Sequence, residues 1–171
     1  LALSPIHEQG KGTYSCATCH IPKAGFMPGR VQGIADGGIG IGDNGENRGM
    51  SEHYNEDELD VQGARPLSLL NVAFVNNTSW SGQFGSSGAN EGTEEYWEGP
   101  TEVNELGFLG LESQNIEGLH LHRMVVRKEV LDAYGYTPLF DQAFPEFPKE
   151  ERYSELTASF AISAYLRTLF T

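Results

Sequence analysis

Cys16-Ala17-Thr18-Cys19-His20 places two thiols three residues apart, with an imidazole directly after the second. This spacing is the one that attaches a c-type haem. Cys16 and Cys19 would form thioethers to the two vinyl groups, and His20 would then sit beneath the iron as its proximal ligand. Three other readings of the same residues stay open: a redox-active Cys-x-x-Cys disulfide, half of a zinc site, and two incidental buried cysteines. A structural zinc site wants four ligands, usually with a second Cys or His pair, and the chain has no third cysteine. A thioredoxin-like motif belongs between a strand and a helix. Here Thr13-Tyr14-Ser15 reads as a short turn and Ile21-Pro22-Lys23-Ala24-Gly25 as a loop. Haem is the reading carried forward.

Outward from the motif, residues 25–63 are rich in glycine and acid, with Gly33, Gly37, Gly38, Gly40, Gly42, Gly45 and Gly49 punctuating a stretch that lacks helical periodicity. Such a segment reads as a long loop. It either wraps a haem edge or makes a free excursion. Within it, Phe26 is close enough in sequence to His20 to pack on the haem ring, and Arg30 to neutralise a propionate. Pro66 opens the apolar run Leu67-Ser68-Leu69-Leu70-Asn71-Val72-Ala73-Phe74, where proline at a first helical position predicts a short buried helix. Residues 76–110 return to turn-rich sequence carrying Trp80, Phe84, Tyr96, Trp97 and Phe108, aromatics that fit satellite pieces of a core. Helical patterns then cover Leu111 to about Met124, Arg127–Tyr134 and Leu139–Phe144. In the last helix Ser154 stands at a cap position, and Leu156, Phe160, Tyr165, Leu166 and Leu169 repeat at three- and four-residue spacing. Strand signals are limited to short hairpin fragments. The fold class is mainly α, a cytochrome c-like haem domain with long loops.

The chain has 171 residues, 39% of them apolar, enough for one haem domain spanning 1–171 with a sizeable core. A net charge of −13 argues against nucleic acid or an anionic membrane surface as a partner. It suits docking of a small basic redox protein, though a plain solvated surface is the first account of it. No apolar run approaches the roughly 20 residues that span a bilayer. Haem attachment of this kind takes place outside the cytoplasmic membrane, so a periplasmic location is expected, the targeting segment having been removed.

A series of blocks carries a more specific resemblance. Ser15-Cys16-Ala17-Thr18-Cys19-His20, Gly25-Phe26, Gly29-Arg30, Pro66 through Leu70-Asn71-Val72-Ala73-Phe74, Trp80-Ser81-Gly82-Gln83, Leu139-Phe140-Asp141-Gln142-Ala143-Phe144-Pro145 and Ala161 through Leu169 occur in the order and spacing of the N-terminal haem domain of bacterial di-haem cytochrome c peroxidases. The resemblance implies a two-domain periplasmic oxidoreductase that reduces hydrogen peroxide to water. Its N-terminal haem is the peroxidatic site, and its C-terminal haem takes electrons from a small cytochrome or copper protein. This chain resembles the first half only and carries one haem motif. The second haem domain is therefore expected on a longer polypeptide or another chain, and dimers are common in the family.

Carried over residue by residue, Trp80 matches the tryptophan between the two haems and is implied as an electron relay. Gln114 resembles the distal-pocket glutamine. The distal glutamate of the family falls near Met124, where no acid stands; His122-Arg123-Met124 occupies the place, with His120 just before. Peroxide heterolysis needs a distal group that takes and returns a proton, and imidazole or carboxylate serves. His122 is thus the first candidate for a distal acid/base or a sixth iron ligand, and Glu117 the second. His53 lies in the loop that in many members supplies a displaceable iron ligand, a few residues from the matching position. The family's calcium uses an asparagine before the proline corresponding to Pro66; here Ala64-Arg65 precede it, so calcium has no assigned ligand. Two alternatives to the peroxidase remain. One is an electron-transfer module with no catalysis, its iron six-coordinate through histidine or through Met27, Met50 or Met124. The other is a di-haem oxidase acting on another substrate.

Overall fold

A computed structural model describes residues 13–28, 34–40, 48–61 and 63–171. The chain is mainly helical and divides into two compact units, one formed by the described residues up to Val72 together with Leu121–Met124 and Leu169–Thr171, the other by Ala73–His120 and Val125–Thr168.

The first unit begins with α1, Cys16–Cys19, a single turn that carries both thiols. Ser15 stands at its N-cap, its backbone N–H bonded to the Thr18 hydroxyl at 3.0 Å, and the His20 N–H closes the turn on the Cys16 carbonyl at 2.8 Å. Pro22–Ala24 makes a 3-10 turn that sends the chain back, so that Phe26 N–H reaches the Ile21 carbonyl at 2.8 Å. Two short antiparallel strands follow, β1 (Gly38–Ile39) and β2 (Gly49–Met50), with Gly38 opposite Met50. Tyr14, Ile21, Ala35, Tyr54 and Met124 form the buried apolar set here.

Around these elements Arg48 acts as a clasp. Its guanidinium donates to the carbonyls of Thr13 (2.6 Å), Ile34 (2.5 Å), Ala35 (2.6 Å), Gly38 (2.8 Å) and Gly40 (3.0 Å). A loop-rich unit has many backbone carbonyls without a ladder partner, and five donors in one fixed fork satisfy several at once. The helix expected after Pro66 is reduced to a 3-10 turn at Val72–Phe74. Ser68 Oγ bonds the Gly25 carbonyl (2.6 Å) and accepts from Leu70 N–H, while Asn71 has φ +60 and donates its N–H to the Leu169 carbonyl. Backbone groups engaged in this way are lost to a continuous helix.

The second unit holds the longer helices: α2 (Gly110–Leu121, its last residue grouped with the first unit), α3 (Lys128–Ala133), α4 (Thr137–Ala143) and α5 (Glu155–Leu166). Phe140, Phe144, Phe147, Phe160 and Phe108 run through its core as a chain of tilted and edge-to-face rings with centroids 5.3–6.4 Å apart. The buried face of α5 is Thr157, Ala158, Ser159, Ser163 and Leu166, whereas Tyr165 of the predicted stripe is exposed. Small residues let α5 approach its neighbours closely, and their hydroxyls are satisfied at short range. Ser159 Oγ donates to Leu156 O (2.8 Å), and Ser163 Oγ accepts from Asn115 of α2 (2.8 Å). Glu112 of α2 and Arg167, just after α5, form a bidentate ion pair. The turn-rich segment before α2 is organised by Asn104, which is fully buried and bonds both Gly85 N–H and the Gln83 carbonyl at 2.8 Å. Of its aromatics Phe84 is buried and Phe108 joins the ring chain, while Trp80 and Tyr96 are each 71% exposed.

Candidate haem-attachment site

The first unit presents Cys16 and Cys19 from one helical turn, Cys16 exposed and Cys19 partly buried, with no disulfide between them. Two thiols unjoined and at different depths fit attachment to the two vinyl arms of one planar group. Burial and the nearby Asp60 carboxylate push the Cys19 thiol up to about 11. Such a group stays a thiol at neutral pH, unlike the acidified cysteine of a disulfide oxidoreductase.

His20 is prepared for a metal by the loop that follows it. Gly25 and Phe26 both adopt positive φ (+65 and +59), a conformation glycine enters freely and phenylalanine rarely. The paired turn aims the Phe26 carbonyl back at His20 Nδ1, 3.1 Å away. A carbonyl only accepts, so Nδ1 is the donor in this contact, and the Leu67 backbone is a second hydrogen-bond partner of the ring. Burial lowers the imidazole's pKa and keeps it neutral, the form that ligates iron. The paired thiols and the neutral, backbone-anchored imidazole thus fit a c-type haem. Phe26 contributes through its backbone carbonyl, a role that the expectation of ring packing does not contain.

His122 is the second histidine this unit brings into play. Its Nδ1 lies 2.8 Å from Asp60 Oδ2, and its carbonyl accepts from the Tyr14 hydroxyl at 2.6 Å. Arg123, in the left-handed region at φ +52, reaches the buried Asp36 carboxylate (3.0 Å) and the Glu58 carbonyl (2.6 Å). Tyr54 OH also donates to Asp36 at 3.1 Å. Burial, with Asp36 and Asp60 nearby, raises the Tyr14 phenol well above its usual range, so it remains a donor.

His53 has a side chain 52% exposed and pairs at 3.9 Å with Glu52. Gln114 and Glu117 stand one turn apart on the α2 stretch of the second unit, where Glu117 pairs with His120 at 3.7 Å. Trp80 belongs to that unit too and is largely exposed. Arg30 lies outside the described residues. Among the described residues no group of three or more His, Cys, Asp or Glu is placed to hold a metal ion such as calcium.

Asp60, Tyr14, Asp36 and Arg48 are structural contributors that motif reading did not single out. The only signals in sequence were an acid in an acid-rich loop and a tyrosine two residues before the motif. Neither carries a spacing rule, because Asp60 and His122 are 62 positions apart.

No curated protein and no solved structure matches the chain. A family profile does, and it covers residues 9–171 with the description di-haem cytochrome c peroxidase. A paired-thiol turn, a neutral proximal imidazole and a match running over nearly the whole sequence agree with one another: the chain belongs to the di-haem cytochrome c peroxidase family.

Proposed function

We propose that this chain carries the haem at which hydrogen peroxide is reduced to two waters. Its electrons come through a second haem domain from a small cytochrome or copper protein, and the reaction takes place in the periplasm. The observation that carries the reading is the His20 site: paired thiols beside a neutral imidazole whose Nδ1 is turned to the Phe26 carbonyl, in a member of this family. Bound haem supplies the iron at which the peroxide O–O bond is cleaved, two electrons and two protons completing the products.

The chain's own residues then have defined tasks. Cys16 and Cys19 anchor the group, and the Phe26 carbonyl orients its proximal ligand. Asp60 holds the Nδ1 proton of His122, which leaves Nε2 to take a proton from peroxide and return it to the departing oxygen. Gln114 and Glu117 share a face of α2 and are the supporting polar candidates. Exposed Trp80 suits a relay toward a partner domain.

The test is peroxide-dependent oxidation of a reduced donor by the full two-haem protein. His122→Ala is expected to lower kcat by about 10²–10⁴, the usual worth of a positioned acid/base. Covalent haem with no peroxide consumption would remove the peroxidase reading. One observation favours a second reading: the His122 ring is anchored on Asp60, and a ring kept on the iron would make an electron-transfer module. Unreactive haem in the intact protein would support that outcome.

A further inference from the structure

Tyr54 and Asp36 form a buried pair that haem attachment leaves unused. Tyr54 is 7% exposed and Asp36 2%, and the phenol donates to Asp36 Oδ1 at 3.1 Å. Arg123 takes the other carboxylate oxygen, Oδ2, at 3.0 Å. The ring is closed in as well. A Cβ on Gly37 would lie 2.8 Å from Tyr54 Cδ1 and 2.6 Å from the Leu59 side chain, so the ring packs directly on glycine backbone at φ +82.

A phenol yields an electron readily only when its O–H proton can leave with it. Asp36 Oδ1 is an acceptor within hydrogen-bond reach. Tyr14, two residues before Cys16, gives its hydroxyl to the His122 carbonyl at 2.6 Å, and a carbonyl does not hold a proton at neutral pH. Tyr153 does meet a carboxylate, Asp141 at 2.6 Å, but in the second unit and at the surface, the Asp141 side chain being 38% exposed. Tyr54 alone of the three combines burial, a base on its phenol and a place in the unit of the attachment motif. Tyr14 links it to that motif, standing close enough to feel both Asp36 and Tyr54. A structural brace would account for the hydrogen bonds, but a neutral acceptor would serve a brace equally well, as the carbonyl does for Tyr14.

Hydrogen peroxide takes two electrons, and a reduced second haem gives one. We propose that Tyr54 is a redox-active residue that lends the other electron, its phenol proton passing to Asp36. One electron from the second haem, one from Tyr54 and two protons from solvent turn one peroxide into two waters. Tyr54 is left as a neutral phenoxyl radical and Asp36 as a carboxylic acid. The next electron from the donor, with the proton returned by Asp36, restores the phenol. The inference rests on the peroxidase reading and adds to it a place where the oxidising equivalent waits, in packing that keeps stray reductants away.

Electron paramagnetic resonance of the full two-haem protein tests it, the electron-donating haem being reduced and the sample frozen after one equivalent of peroxide. An organic radical is expected, its hyperfine pattern narrowing when the protein carries ring-deuterated tyrosine. Further reduced donor should remove it. Tyr54→Phe should abolish the radical and leave the haem spectrum unchanged, whereas Tyr153→Phe should keep it. In Asp36→Asn the radical should form more slowly by about 10²-fold or more; an aspartate that only braces the fold would leave the rate unchanged. Should Asp36→Asn not fold, slower radical formation by the wild type in heavy water supports the proton step, and an equal rate overturns it. Peroxide consumption without a tyrosine radical, or with one that survives Tyr54→Phe, overturns the inference and leaves peroxide reduction standing. Covalent haem that consumes no peroxide overturns the peroxidase reading and the inference with it, so the two failures are told apart.

Discussion

Single side chains carry more of the first unit than its short helices and strands do. Arg48 is the clearest case, since five carbonyls from Thr13 to Gly40 converge on its guanidinium. Partial burial lowers its pKa from the usual value, and a guanidinium keeps its charge in proteins. Arg48→Met leaves these acceptors without their donor and is expected to lower stability by about 2–4 kcal/mol, measured by denaturant unfolding. Arg48→Lys should recover only part of the loss, because an ammonium lacks the planar fork. The cysteines give a second expectation. In chain produced without haem, alkylation at pH 8 should modify exposed Cys16 well before Cys19, whose thiol ionises only near pH 11. Above that pH the two rates should converge; mass spectrometry of timed samples would show equal labelling at pH 8 if the burial of Cys19 were wrong.

Helices and turns set the second unit. Ser154 caps α5 by accepting from Thr157 N–H, and Thr157 is itself fully buried. Ser154→Ala should cost about 1 kcal/mol, the usual worth of an N-cap, read as a lower unfolding midpoint with an unchanged slope. Gly110 opens α2 where backbone from two loop stretches, residues 76–78 and Phe84, crowds in. A Cβ there would lie 2.6–2.7 Å from the Phe84 and Asn76 carbonyls and the Thr78 N–H. Those are backbone atoms and cannot swing aside, so Gly110→Ala is expected to destabilise by about 2–4 kcal/mol despite alanine's better helix propensity. Gly118 in the same helix meets nothing within 4 Å. Gly118→Ala should stabilise modestly, and the contrast between the two variants isolates crowding from propensity.

Across the whole molecule the dominant property is charge. With −13 at neutral pH, the chain attracts a basic electron donor at long range and repels an acidic one. Raising ionic strength from about 0.01 M to about 0.15 M shortens the screening length from about 30 Å to about 8 Å. Second-order rates with a basic cytochrome should therefore fall steeply over that range, with most of the change in association. A rate indifferent to salt would mean that the acidic residues serve solubility alone. No helix among the described residues is long and apolar enough to cross a membrane.

The haem-attachment motif, the mainly helical class and the four later helices were legible in residue order alone, because each depends on neighbours within a turn or two. Cys16, Cys19 and His20 are constrained by one helical turn, and α2, α3, α4 and α5 follow local periodicity and capping. The helix after Pro66 was misjudged for the opposite reason: the Ser68 hydroxyl bonds the Gly25 carbonyl and the Asn71 N–H bonds that of Leu169, partners far away in sequence. The apolar stripe of α5 correctly named Leu166 and Phe160 for packing, but it also named exposed Tyr165 and passed over Thr157, Ser159 and Ser163, which close packing buries. His122 stood out in the sequence only as a histidine where an acid was expected. Its partner Asp60, its anchor Tyr14 and the clasp Arg48 became visible in the folded chain, because hydrogen bonds across tens of residues leave no periodicity to read.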